Sequence, residues 1–316
     1  MIKNRKAFIV GIKSTKLTFD EISFLKKYKP WGIILFARNI KSIEQTKKLT
    51  DKIKIIFNDK KYPILIDQEG GRVNRLNKII SFDNLTSTYF GSLFSKDKKK
   101  LNIIYKLFID KTSYLLKSIG ANINTVPVLD LKIKGSNNVI GDRSFSKNRR
   151  VVSKMGDICI KYFHDNSIGT VIKHIPGHGL AKVDSHFSTP IVKKSLSYLI
   201  KNDFYTFKNK NCFFAMTAHI IYQKIDKLNT ATHSKKLIEL IRKKIGFKNI
   251  LISDDLSMKS LKDNIKTNTL KAFSAGCNIV LHCNGNLREM KIVANNSPEL
   301  SKFIIKKTSL FYKILS

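Results

Sequence analysis

Eight short apolar runs, rich in β-branched residues, recur along the chain at 7–12, 32–36, 63–67, 122–126, 170–173, 213–217, 249–253 and 278–281. They are continuous rather than alternating, which suits parallel strands covered on both faces. Amphipathic segments lie between them. Thr18 can cap a helix running to about Tyr28, which Pro30 ends. Ser42 and Gln45 have capping-box spacing before a helix reaching about Phe57. Further helical patterns occupy about 100–118, 149–166, 195–208, 234–244 and 267–275, with another near the C-terminus. Strands that alternate with helices eight times predict an α/β fold, a single (β/α)8 TIM barrel. A doubly wound open sheet is the alternative. It would usually carry a glycine-rich phosphate or dinucleotide loop after its first strand, and neither such motif occurs.

Composition narrows this picture. The 316 residues suffice for one large barrel, and no linker, repeat or low-complexity segment divides them, so one catalytic domain over 1–316 is expected. No stretch approaches ~18 consecutive apolar residues, so no membrane partner is expected. The apolar run at 7–12 is too short for a signal-peptide core and reads as a first strand, which implies a cytoplasmic protein. Cys159, Cys212, Cys277 and Cys283 form no Cys-x-x-Cys pair, which fits a reducing compartment and argues against zinc held by cysteine. The net charge of +36 can signal nucleic acid. Here the lysines are scattered rather than gathered in one stripe, so a lysine-rich composition explains the charge and no specific nucleic-acid partner is expected.

The chemistry-bearing residues fall where a barrel builds its active site. Asp67, Asp130, Lys173, His174, His219, Asp254 and His282 all end apolar runs or follow them, at the C-terminal strand ends. Four stretches stand out. Asp67-Gln-Glu-Gly-Gly-Arg-Val-Asn-Arg75 joins a carboxylate, guanidinium groups and paired glycines, suiting sugar hydroxyls. Ile140-Gly-Asp-Arg143 supplies another arginine. Lys173-His174-Ile-Pro-Gly-His178-Gly opens a long loop that continues to Asp184-Ser-His186, where a carboxylate can orient an imidazole for proton transfer. Ser253-Asp254-Asp255-Leu-Ser-Met258 ends a strand with two carboxylates. One can face the mouth and attack an anomeric carbon, while the other bonds backbone or caps a helix.

Taken together, these stretches, with Met216-Thr-Ala-His219 and Ala275-Gly-Cys-Asn278, resemble glycoside hydrolase family 3, and within it the single-domain bacterial β-N-acetylhexosaminidases of peptidoglycan recycling. The resemblance covers about residues 7–285. It implies Asp254 as nucleophile, His186 as acid/base and Asp184 as the support of that histidine. It also implies Asp67, Arg75, Arg143, Lys173 and His174 as substrate-binding residues. No cofactor and no metal are expected, because cysteine sites are absent and this chemistry needs only a carboxylate and proton transfer. The implied substrate is N-acetylglucosaminyl-anhydro-N-acetylmuramic acid with its peptide-bearing forms, and a monomer is favoured. Asn249 departs from the family, which usually has glycine there. A histidine in place of the second carboxylate leaves a phosphorylase open. Two other readings stand beside this one: a metal-dependent hydrolase using His174, His178 and His186, and a basic nucleic-acid-binding protein on a vestigial barrel.

Overall fold

Each of the eight apolar runs becomes a barrel strand. In the computed structural model, which describes residues 2, 4–133, 135, 137–185 and 187–315, these strands are β1 (Lys6–Gly11), β2 (Pro30–Leu35), β3 (Ile64–Ile66), β4 (Ile123–Asn124), β5 (Gly169–Ile175), β7 (Phe214–Thr217), β9 (Ile250–Asp255) and β10 (Ile279–His282). All neighbours pair in parallel and the sheet closes on itself, β10 against β1. The strand period of two sorts side chains into two cores. Ala7, Ile9, Trp31, Ile34, Leu65, Val171, Phe214 and Ile252 form one cluster, inside the barrel. Phe8, Val10, Ile33, Ile64, Ile172 and Ala215 join the other, between strands and helices.

The C-terminal helix α10 (Lys302–Lys313) closes one end. The Trp31 indole donates to Thr308 Oγ1 at 2.9 Å, and Phe311 meets Phe214 edge-on at 5.2 Å. Gly169 opens β5 because a Cβ there would come within 2.5 Å of the Phe311 ring. This plug occupies the N-terminal end of the barrel, where Arg5 also pairs with Asp59 at 2.6 Å.

Helix starts follow their expected signals, with one difference. Thr18 caps α1 (Phe19–Tyr28) in a full capping box with Glu21. Ser42 caps α2 (Ile43–Phe57), but the Gln45 side chain accepts from Lys41 N rather than from Ser42 N. The helices α4 (Lys98–Ser118), α5 (Arg149–Asp165) and α8 (Ile265–Ala275) lie close to their expected spans. Two expected helices are broken. The 195–208 pattern splits into α6 (Leu196–Lys201) and a 3-10 turn over Phe204–Phe207, because Asp203 is buried between them. The 234–244 pattern gives α7 (Lys235–Leu240) and a π turn over Ile241–Ile245, which buries both isoleucines before Gly246 at φ 82°. Asn249 needs no left-handed backbone, and its side-chain amide instead donates to Cys212 O at 2.8 Å.

Three features are not signalled by the sequence pattern. These are α3 (Ser87–Lys96), α9 (Leu287–Asn295), and the short parallel pair β6 (Ile191–Val192) with β8 (Ile221–Tyr222). The β6–β8 pair ties the loop after β5 to the loop after β7, and so shapes the mouth. No helix among the described residues is long and apolar enough to cross a membrane.

Candidate active site

A cavity of about 320 Å³ opens at the C-terminal strand ends, opposite the α10 plug. Its floor is an ion network. Lys173, in the C-terminal half of β5, lies 2.8 Å from Asp67 Oδ1 and 2.7 Å from Glu69 Oε1. Arg143 grips Glu69 with both arms, at 2.8 and 2.9 Å, and donates to Val139 O at 3.1 Å. Arg75 reaches Asp67 Oδ2 at 3.4 Å and lies over the Phe36 ring. Thr125 Oγ1 hydrogen-bonds Asp67 as well.

Burial alone would push both carboxyl groups up. For Asp67, Lys173 and Arg75 outweigh burial and hold it far below the usual carboxylate range. For Glu69, Arg143 and Lys173 do the same, down to about 2. Burial would lower Lys173, but Asp67 and Glu69 raise it. The network therefore stays ionised at neutral pH, three cations to two carboxylates. It presents charged donors and acceptors that need no rearrangement to take hydroxyl groups.

The loop after β5 supplies the imidazoles. His174 Nδ1 lies 2.7 Å from Asp130 Oδ2, and the backbone N–H groups of His174 and His178 also donate to that carboxylate. Since a carboxylate accepts, His174 carries its proton on Nδ1 and keeps Nε2 for the cavity it lines. His178 Nε2 lies 3.0 Å from Ser185 Oγ, and burial pushes this histidine down to about 4, so it is neutral. Asp184 and Ser185 also line the cavity. His186 lies outside the described residues, and so does the geometry of any cluster that includes it.

At the end of β9 the two aspartates part. Asp254 lines the cavity, with Oδ1 accepting from Asp255 N at 2.8 Å. Asp255 turns to backbone. It accepts from Ser257 N and from Cys283 N, both at 3.0 Å, and from Ser257 Oγ at 2.7 Å. It thus bridges β9 and β10 through a turn rather than capping a helix, since α8 is capped by Asn264.

Not every strand-end group reaches the cavity. Asp67, Lys173, His174 and Asp254 do, with Arg75, Arg143 and Asp184 from loops. Asp130 is buried behind His174. His219 is buried beneath Asp255, and His282 is bonded to Glu289 at 2.8 Å on α9. Glu69 is a site residue that the sequence pattern does not single out, although it sits in the same stretch as Asp67. Only the fold shows that it faces Arg143 across 74 residues. Among the described residues, no three His, Cys, Asp or Glu side chains converge as metal ligands.

Comparison with known proteins adds a lineage to this geometry. The glycosyl hydrolase family 3 N terminal domain pattern matches residues 7–305. A β-hexosaminidase of Methylobacillus flagellatus is 30% identical over 295 residues, covering 91% of this chain and 83% of that one. A β-hexosaminidase of Neisseria meningitidis serogroup B is 33% identical over 287 residues, 89% of this chain and 78% of that one. The crystal structure of NagZ from Neisseria gonorrhoeae in complex with N-trifluoroacetyl-D-glucosamine superposes with a TM-score of 0.82 at 28% identity, covering 99% of this chain and 98% of that one. A family 3 β-N-acetylglucosaminidase from Paenibacillus gives 0.85 at 24% identity, where the likeness is one of fold; 98% of this chain matches, and it spans 60% of that longer protein.

Proposed function

The chain belongs to glycoside hydrolase family 3 and is a glycoside hydrolase of the β-hexosaminidase type; we propose that it releases β-linked N-acetylglucosamine with retention, through a glycosyl ester on Asp254. The observation that carries this reading is the position of Asp254. It is the next-to-last residue of a barrel strand, lines the cavity, and has its carboxylate oriented by the next backbone N–H.

In the first step protonated His186 gives its proton to the leaving oxygen while Asp254 attacks the anomeric carbon. The C–O bond to the aglycone breaks and an acyl–sugar bond forms. In the second step neutral His186 takes a proton from water, whose oxygen displaces Asp254 and leaves the sugar in its β form. Asp184 holds the imidazole and favours its charged form. Asp67, Arg75, Lys173 and His174 bind the sugar. Arg143 contributes chiefly by fixing Glu69 beside Lys173.

The substrate class we infer is N-acetylglucosaminyl-anhydro-N-acetylmuramic acid and its peptide-bearing forms, handled in the cytoplasm by a single-domain monomer. Support comes from the relatives above, from cysteines that are all free, and from a cavity that a sugar-sized ligand can fill. Turnover of a chromogenic N-acetyl-β-glucosaminide, followed by NMR with and without phosphate, tests it. The β anomer of free N-acetylglucosamine is expected first. An α anomer contradicts retention, and a sugar phosphate formed in place of free sugar contradicts hydrolysis.

A further inference from the structure

The residue after the proposed nucleophile is held from three sides. Its side chain binds the start of the β9–α8 loop and the end of β10, and its N–H orients Asp254, as described above. Its carbonyl oxygen is the third point, accepting from His219 Nε2 at 3.0 Å. His219 follows β7, which pairs in register with β9, Met216 opposite Ile252. The imidazole therefore arrives beneath the end of β9. It is fully buried and is not part of the cavity lining.

The hydrogen bonds fix its proton. A carbonyl only accepts, so Nε2 carries the hydrogen. Burial lowers the imidazole's affinity for a second proton, against the opposing pull of Asp254 and Asp255. The ring is therefore neutral and Nδ1 is an acceptor. Thr232 Oγ1, 2.7 Å away, must donate to it. The Thr232 oxygen then takes the proton of Thr217 Oγ1, also at 2.7 Å. A directed chain runs Thr217, Thr232, His219, Asp255 carbonyl, with every buried partner satisfied. Buried polar groups are costly unless paired, and a fully paired chain rigidifies what it touches.

We propose that His219 is a positioning residue for the nucleophile: by anchoring the Asp255 carbonyl it fixes the backbone whose N–H sets the Asp254 carboxylate. This rests on the reading of Asp254 as nucleophile. His219 does not touch the sugar. Without the anchor, the Asp255 segment gains freedom and the carboxylate loses its aim, and a misplacement near 1 Å costs on the order of 10²-fold in rate. A histidine that merely fills the core would affect stability alone.

The test uses a dinitrophenyl N-acetyl-β-glucosaminide, whose leaving group needs little protonation, so kcat/KM reports attack by the nucleophile. His219→Leu lowers kcat/KM by about 10–100-fold while inhibition by N-acetylglucosamine, a measure of binding, stays at the wild-type value. His219→Gln, whose amide can reach the same carbonyl, restores most of the rate. Thr232→Val, close to isosteric, releases the tautomer and falls between, and it decides the matter if the leucine variant does not fold by thermal melting. A folded His219→Leu with the wild-type rate overturns the proposal. So does a glutamine variant as slow as the leucine one, or, where leucine cannot be used, a Thr232→Val enzyme at the wild-type rate. An active Asp254→Asn enzyme is a separate failure, that of the nucleophile assignment.

Discussion

Arg143 and Glu69 face each other as a two-armed pair, with guanidinium nitrogens 2.8 and 2.9 Å from the two carboxylate oxygens and both side chains nearly out of solvent. Removing one partner of such a pair leaves the other charge buried and typically costs about 3–5 kcal/mol. Glu69→Gln, which strands Arg143, should lower stability in urea by that order, and Arg143→Met by less, because Glu69 keeps Lys173 at 2.7 Å. The double variant should lose less than the sum, because the orphaned charge is gone. Additive losses in that cycle would show the two side chains to be energetically independent.

Glu69 also marks what can be read from this sequence. Barrel strands were readable because residues buried on both faces leave continuous apolar runs, as at Ile64–Ile66 and Phe214–Thr217. Asp67, Lys173, His174 and Asp254 were readable because strand ends define the mouth. What escaped depends on partners distant in sequence. Whether a strand-end histidine faces the cavity (His174), the floor beneath Asp255 (His219) or helix α9 (His282) turns on strand parity and loop path. Likewise the 195–208 helix reads as continuous until Asp203 is buried against Gly177, where a Cβ would meet it at 2.8 Å.

The two adjacent aspartates should separate in kinetics. Asp254→Asn should remove turnover and leave melting nearly unchanged, since an amide keeps the shape but forms no glycosyl ester. Asp255→Ala forfeits three hydrogen bonds within and beyond its own turn, and should cost about 1–3 kcal/mol, read by chemical denaturation. A dead but fully stable Asp255 variant beside a working Asp254→Asn enzyme would reverse the assignment.

Acid stability follows from the histidines. His164, His178 and His233 are each lowered to about 4, chiefly by burial. The unfolded chain therefore binds more protons than the folded one between about pH 6.5 and 4. Their contribution is fully present above that window and is lost as pH falls through it. Glu69, lowered to about 2, adds a further loss between its unfolded value near 4.3 and about pH 2. The melting temperature should decline from pH 6.5 to 4, and His164→Gln with His233→Gln, both away from the cavity, should flatten that decline. An unchanged slope in the double variant would contradict these protonation states.

Metal removal should leave the enzyme working. His174 Nδ1 is committed to Asp130 and His178 Nε2 to Ser185, and the proposed steps need only a carboxylate and a proton carrier. Exhaustive dialysis against EDTA is expected to leave kcat unchanged. Activity that is lost and then restored by zinc would favour the metal-dependent reading instead.

A covalent intermediate on Asp254 has a competitor in the substrate's own acetamido group, which can attack in place of an enzyme carboxylate. His186→Ala decides between them. With a dinitrophenyl N-acetyl-β-glucosaminide the first step needs little acid help, while the second lacks its base, so the glycosyl-enzyme should accumulate. Peptide mass spectrometry of the quenched protein should find N-acetylglucosamine on the fragment bearing Asp254, and azide should discharge it as the β-glycosyl azide. An α-azide, or a burst of phenolate with no sugar on that fragment, would rule out a glycosyl ester on Asp254 formed and released with net retention.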